Sequence, residues 1–265
     1  MLDRFNREIN YLRISVTDKC NLRCVYCMPE EGVPLRKHTD FLSFEDIEKV
    51  VQEAAKLGIN KIRLTGGEPL VKKDIEKLVK KIADIEGINE VTMTTNGILL
   101  PEKAKALKEA GLKRVNISCD TLNPERYKKI TRIGELEQVL KGIDAAIEVG
   151  FKVKINMVVM NDTSDEEIKE MQKFCEQKGI KLQLINHYSL VVEKMNHYTF
   201  DRPPDCAKCN RIRLLADGSL KPCLHSNKEI KLDLKNIRKS LIKTILEKPR
   251  AGRVCTNRSM MEIGG

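Results

Sequence analysis

The chain has 265 residues, 41% of them apolar, only 4% aromatic and none Trp, which is enough for one large domain with an aliphatic core and needs no disulfide staples. Its formal charge of +10 and pI of about 9.1 admit an anionic substrate, nucleic acid or a membrane surface, although Lys and Glu alternate along most helical stretches, as on solvated, ion-paired faces. The charged segment Met1–Asn10 lacks the apolar run of a signal peptide and no stretch approaches a membrane span, so a cytoplasmic chain with no membrane partner is expected.

Tyr11–Val16 is apolar and β-branched and predicts a strand. Ser43–Leu57 carries apolar residues at Ile47, Val50, Val51, Ala54 and Ala55, the spacing of a helix face, with Gly58 as its stop. Strand and helix patterns then alternate: Lys61–Thr65 and Lys73–Ile85, Glu90–Thr94 and Pro101–Ala110, Arg114–Ser118 and Glu135–Val149. Lys152–Met160 and Ser164–Lys178 follow, the latter opened by a capping box of Ser164 and Glu167, and Lys181–Asn186 is the sixth strand. Six such units imply a parallel sheet with helices outside. About 180 residues are too few for an eight-fold barrel, so the α/β fold expected is a partial, TIM-like (β/α)6 barrel with its site at the C-terminal strand ends. After Asn186 the alternation stops. Residues 187–265 hold a Cys cluster, a helical stretch at Leu234–Leu246 and a Gly-Gly end. They read as an iron–sulfur-binding appendage to a barrel of residues 1–186.

Nine Cys in a chain without a leader point to metal or catalysis rather than disulfides. Cys20, Cys24 and Cys27 follow the first strand with CxxxCxxC spacing. Three thiolates hold a cubane cluster and leave one iron open for a small molecule; a zinc loop more often uses four ligands in paired knuckles. Cys206, Cys209 and Cys223 form a second trio. There spacing alone leaves zinc open, with His225 as a fourth ligand.

CxxxCxxC after a first strand resembles the radical S-adenosylmethionine (SAM) enzymes, and Thr65-Gly66-Gly67-Glu68-Pro69 resembles their second-strand segment. The residues around Cys206, Cys209 and Cys223, notably Arg211, Arg213, Asp217 and Gly218, and the tail Met261–Gly265 are similar to those of the molybdenum-cofactor GTP 3′,8-cyclases. That resemblance implies two [4Fe–4S] clusters, one on each trio, and SAM as cofactor. It places Tyr26, Gly67 and Ser118 at SAM, and Arg13, Arg63, Thr94, Lys154, Arg211 and Arg213 at GTP. It makes Arg13, Arg63, Gly264 and Gly265 catalytic, the tail's backbone orienting Arg13 or Arg63. The implied reaction is radical cyclisation of GTP to 3′,8-cyclo-7,8-dihydro-GTP. Implied partners are an electron donor such as ferredoxin or flavodoxin, the next pterin-forming enzyme and a second copy in a homodimer. Arg suits phosphate bidentately. Lys154 alternates with apolar residues, and an interior Lys asks for an anion; facing outward, it would need none. Gln183, Asn186 and Tyr188 stand where the family has Arg, Glu and Met, and the segment before Cys206 is short. A relative acting on a peptide or other small molecule is the second reading. A zinc-stabilised nucleic-acid binder is a third, which the scattered Lys and the lack of interleaved aromatics disfavour.

Overall fold

Val-, Ile- and Leu-rich stretches of about five residues, separated by amphipathic ones of ten or more, fold as strand and helix in alternation. The computed structural model describes residues 1–31, 41–194, 199–200 and 205–264. Its first six strands are β1 (Tyr11–Ser15), β2 (Lys61–Thr65), β3 (Glu90–Thr95), β4 (Arg114–Ser118), β5 (Lys152–Val159) and β6 (Lys181–Asn186). They pair in parallel, each with the next in sequence. Between them run α1 (Phe44–Lys56), α2 (Ile75–Ala83), α3 (Leu100–Glu109), α4 (Pro124–Thr131), α5 (Leu136–Glu148) and α6 (Asp165–Gln177). Local chemistry sets the helix starts: Ser43 accepts from Asp46 N, and Ser164 and Glu167 close the expected capping box.

Helix α4 was not expected. Asn123 caps it and Pro124 opens it, both legible start signals, but its polar sequence hides the helical period.

The sheet does not stop at β6. In order β6-β5-β4-β3-β2-β1-β7-β8-β9, it gains β7 (Arg211–Leu214), β8 (Ser219–Lys221) and β9 (Ile230–Lys231). β7 lies parallel to β1, while β8 and β9 continue antiparallel. Helix α7 (Ile237–Leu246) packs against α1 and β8, and a last short helix, α8 (Met260–Ile263), precedes Gly264.

Alternation along the strands sorts the side chains. Leu12, Ile14, Ile62, Leu64, Val115, Ile117, Val153 and Ile155 are buried in the aliphatic core between sheet and helices. The intervening residues meet across the strands: Arg13 stands opposite Arg63 on one side and Arg213 on the other, and Asn116 stands opposite Lys154. Strand register thus assembles a row of cations.

Candidate active site

The loop after β1 carries Cys20, Cys24 and Cys27 into one cavity at the C-terminal strand ends, with Tyr26, Gly66, Gly67, Glu68, Asn96 and Ser118. The Gly-Gly segment ends β2 and presses on the loop's backbone. A Cβ on Gly66 would collide with the Thr17 carbonyl and one on Gly67 with that of Lys19, while Gly67 N and Glu68 N donate to those same carbonyls at 2.8 Å. Burial pushes the Cys20 thiol up to about 11 and Cys27 to about 12; for Cys24 burial, Asp120 and the neighbouring thiols push it further still. These thiols keep their protons at neutral pH unless a metal ionises them, as a coordinated thiol is ionised. The donor set therefore fits a cluster ligated by three Cys.

Two buried carboxyls serve this cavity, Glu68 in its wall and Asp120 bonded to Tyr26. Glu68, 1% exposed, accepts from Leu70 N, Thr95 Oγ1 and Asn96 N at 2.9, 2.7 and 2.6 Å, yet burial raises it to about 7. Asp120 accepts from Tyr26 Oη at 2.7 Å and Val158 N at 2.8 Å, and burial lifts it to about 6. The Tyr26 ring is thereby fixed in orientation; its edge meets His187, 6.3 Å between centroids. Glu68 belongs to the Gly-Gly-Glu-Pro segment after β2, whereas Asp120 lies in no motif and only the fold brings it to the thiols.

A second cavity runs down the barrel interior. Arg13, Arg63, Thr94, Lys154, Arg211 and Arg213, all expected at the substrate, line it together with Tyr11, Arg114, Asn116 and Gln183, and no carboxylate among the described residues does. Lys154 thus faces inward. Arg13 is buried, and burial followed by the Arg213 charge pulls its guanidinium well below its ordinary value. Arg63 donates to Thr94 Oγ1 at 3.2 Å, and Arg63 and Arg211 both sit over the Tyr11 ring, at 5.8 and 5.5 Å. The Nε atoms of Arg63 and Arg211 are buried without a partner among the described residues. Cations crowded this way call for a polyanion. Thr94, Asn156, Ile185 and Tyr188 line both cavities, so the two adjoin. Gln183 faces the second at the strand position expected to hold Arg, and Asn186 donates to the Phe200 carbonyl at 3.0 Å.

The tail enters between them. Gly264, in the left-handed region at φ 72°, is buried against Thr65, where a Cβ would strike Oγ1. Its carbonyl accepts from Arg13 Nη2 at 3.0 Å and Arg213 Nη1 at 3.1 Å, and Ile263 O accepts from Arg213 at 3.3 Å. Of the two arginines expected there, Arg13 or Arg63, the tail's backbone meets Arg13, and it meets Arg213 as well because β7 lies beside β1. Gly265 lies outside the described residues.

Cys206, Cys209 and Cys223 line a third cavity with His225, Lys194 and Lys248, and Arg211 and Arg213 line this cavity as well as the second. Burial opposes ionisation of Cys209, but the Lys248 charge and the Arg211 N–H outweigh it and hold the thiol below its ordinary value; burial raises Cys223. Burial and the charges of Lys194 and Arg213 lower His225 to about 4, and both its ring nitrogens lack a partner among the described residues. Within the same residues no three His, Cys, Asp or Glu side chains converge on a single-ion site. The three thiols line one cavity among cations, a donor set that suits the three protein ligands of a cubane.

Residues 14–175 match the family model of the radical SAM superfamily. The GTP 3′,8-cyclase of Alkaliphilus metalliredigens is 40% identical over 320 aligned positions, covering all of both chains, and that of Petrotoga mobilis 38% over 323. Those alignments are longer than this chain of 265 residues, so the relatives carry segments it lacks. The structure of Streptococcus suis SuiB bound to S-adenosylmethionine superposes with a TM-score of 0.71 at 18% identity, over 93% of this chain and 66% of that one, a likeness of fold. The chain belongs to the radical SAM superfamily and, within it, to the GTP 3′,8-cyclase family.

Proposed function

We propose that the chain converts GTP to 3′,8-cyclo-7,8-dihydro-GTP, the pterin precursor of molybdenum-cofactor biosynthesis, using SAM and two [4Fe–4S] clusters. The observation that carries the reading is the adjoining of a three-thiol cavity and a cavity of cations with no carboxylate among the described residues, through the shared wall of Thr94, Asn156, Ile185 and Tyr188. Cys20, Cys24 and Cys27 would hold the first cluster, and Cys206, Cys209 and Cys223 the second. When bound, the first cluster and SAM would supply radical chemistry at C3′ of the substrate, the carbon joined to C8 of guanine in the product.

The chain's residues bind and orient. Gly67, packed on the Lys19 carbonyl at the cavity wall, borders the methionyl end of SAM, Ser118 offers it a hydroxyl, and Tyr26, fixed by Asp120, borders the adenine. Arg13, Arg63, Lys154, Arg211 and Arg213 neutralise the triphosphate, with Thr94 beside them. Gly264 holds Arg13 and Arg213 in place by its carbonyl, and Gly265 is needed with it for cyclisation. Residues 1–186 carry the SAM chemistry, and residues 187–265 bring the second cluster and the tail to it. No helix of the described residues is long and apolar enough to cross a membrane. The enzyme works in the cytoplasm, takes its electron from a ferredoxin or flavodoxin, passes its product to the next pterin-forming enzyme and pairs as a homodimer. It uses no nucleic acid.

The test is anaerobic turnover with GTP, SAM and a strong reductant, following 5′-deoxyadenosine and the cyclised nucleotide separately. Both should accumulate together. SAM cleavage indifferent to GTP, with no saturable GTP binding, would favour the second reading, a relative acting on a peptide or another small molecule, for which Gln183 in the cation cavity is the supporting observation.

A further inference from the structure

The third cavity contains a cation to which the reaction assigns no task. Lys248, two residues beyond α7, is only 3% exposed. Its Nζ lies 3.4 Å from Cys209 Sγ and donates to the carbonyls of Arg211 at 2.7 Å and Pro222 at 2.9 Å. Those carbonyls belong to the two segments that carry the thiols: Arg211 comes just after Cys209 and Pro222 just before Cys223. One ammonium therefore spans both halves of the ligand set.

Its hydrogen bonds are satisfied, but its charge is not. Among the described residues no carboxylate pairs with Lys248. The contrast is Lys221 of the same region, fully buried and matched to Glu229 at 3.2 Å and to the Ser226 carbonyl. A buried ammonium is costly without a counter-charge, since neutral carbonyls replace water's hydrogen bonds but not its screening. The space beside Lys248 is lined by three thiols, and a second ammonium, Lys194 Nζ, lies 3.1 Å from Cys206 Sγ. Three thiolates around a [4Fe–4S] core leave the ligated cluster with net negative charge, and hydrogen bonds to its sulfurs tune its potential. The geometry supplies the missing anion at the place where the cation needs one.

We propose that Lys248 is the counter-charge of the second cluster: it donates to the Cys209 sulfur, ties the two ligand segments together through the Arg211 and Pro222 carbonyls, and raises the cluster's reduction potential. The inference rests on the reading that Cys206, Cys209 and Cys223 hold a cluster. On reduction the cluster takes one electron from a low-potential donor outside the protein and gains one negative charge, with no bond made or broken. A fixed cation favours the more negative member of that couple. A lysine that only tied the two segments together would leave the potential alone.

The experiment uses the full chain with Cys20, Cys24 and Cys27 replaced by Ala, so that only the second cluster remains, reconstituted without air. Lys248→Gln keeps an N–H donor for the carbonyls and removes the charge; Lys248→Arg keeps the charge. In potentiometric titrations read by electron paramagnetic resonance, Lys248→Gln should retain iron and sulfide while its reduction constant falls tenfold or more, 59 mV for one electron; Lys248→Arg should stay near the parent. A Gln variant with full iron and the parent's potential would overturn the proposal. If the Gln variant holds no cluster, pulsed resonance on ¹⁵N-lysine-labelled parent decides. A lysine nitrogen coupling lost in Lys248→Arg but kept in Lys194→Arg supports the counter-charge; no coupling in the parent, or one that survives in Lys248→Arg unchanged, overturns it. Zinc without sulfide at the site in the parent would instead remove the cluster reading itself.

Discussion

A buried thiol or carboxyl holds its proton until something nearby makes the charged form cheaper, and that decides the chemistry of single residues here. Cys20 and Cys27, raised to about 11 and 12, would need a bound metal to ionise them at neutral pH. Replacing Cys20, Cys24 and Cys27 together by Ala should remove about half of roughly eight irons per chain and all SAM cleavage, as iron analysis and 5′-deoxyadenosine assay will check. Glu68 offers a pH test. Its folded value of about 7 exceeds the ordinary 4.5, so the folded chain binds this proton more tightly than the unfolded one. Its contribution to stability is fully present below about 4.5 and is lost as pH rises through 7, on the order of 3 kcal/mol. Urea unfolding of the iron-free chain at about pH 5 and pH 8 should show that loss shrinking in Glu68→Gln. In the cation cavity, charge-assisted contacts to a triphosphate are worth roughly 1.5–3 kcal/mol each. Lys154→Ala and Arg213→Ala should each weaken GTP binding by about ten-fold or more and leave SAM binding intact, and Gln183→Arg should tighten it. Equal GTP affinity in all of them, measured by calorimetry, would detach these residues from the substrate.

At the scale of elements, α8 and the tail carry the clearest consequence. The helix has its own capping box, Ser259 with Glu262. Arg258 pins it to the β7–β8 hairpin and the segment beyond it: its Nη1 pairs with Asp217 at 2.7 Å, its Nη2 with Glu229 at 2.8 Å, and Ser219 accepts from it at 3.1 Å. Gly264 then arrives at Arg13 and Arg213 from a fixed direction. Deleting Gly264 and Gly265 removes no cluster ligand and little of the core. Iron content, melting and SAM cleavage should stay normal while the cyclised nucleotide disappears. Gly264→Ala should act the same way, because its φ of 72° disfavours a side chain and the Cβ would meet Thr65. Full cyclisation by either variant would reduce the tail to a docked end without a task.

For the whole molecule the deciding contact is between the first strand and the seventh. β7 pairs with β1 along four residues, Tyr11 with Arg211 through Ile14 with Leu214. Near the N-terminus, Arg7 pairs with Asp3 at 2.7 Å and donates to the carbonyls of Cys206 and Pro249 at 2.8 and 2.7 Å. The second-cluster region is thereby built into the barrel's sheet. The cluster-loaded chain should unfold in one transition, with far-ultraviolet dichroism and cluster absorbance lost together. A chain cut after Lys194 should aggregate, since β1 would present an unpaired edge. Two separated transitions would mean that residues 187–265 fold on their own.

By itself the sequence determined what is local. Apolar periodicity placed the first six strands, and α1, α5 and α6, within a residue or two. Three-and-two spacing put Cys20, Cys24 and Cys27 in one loop, and caps such as Ser43 and Ser164 started their helices. These depend on residues a few positions apart, so they survive without knowledge of the fold. The tertiary structure decided what depends on register and on distant chain. Arg13 meets Arg63 and Arg213 only because β1 lies between β2 and β7, and β7, four residues long, carries no period strong enough to announce a strand. Gly264 reaches Arg13 across 251 positions. Glu68, Asp120 and Lys248 stand outside the thiol motifs and become part of the sites through burial, which raises the two carboxyls and leaves the lysine's charge to be matched. Spacing is read along the chain; burial and electrostatics exist only once distant segments have closed around a group and excluded water from it.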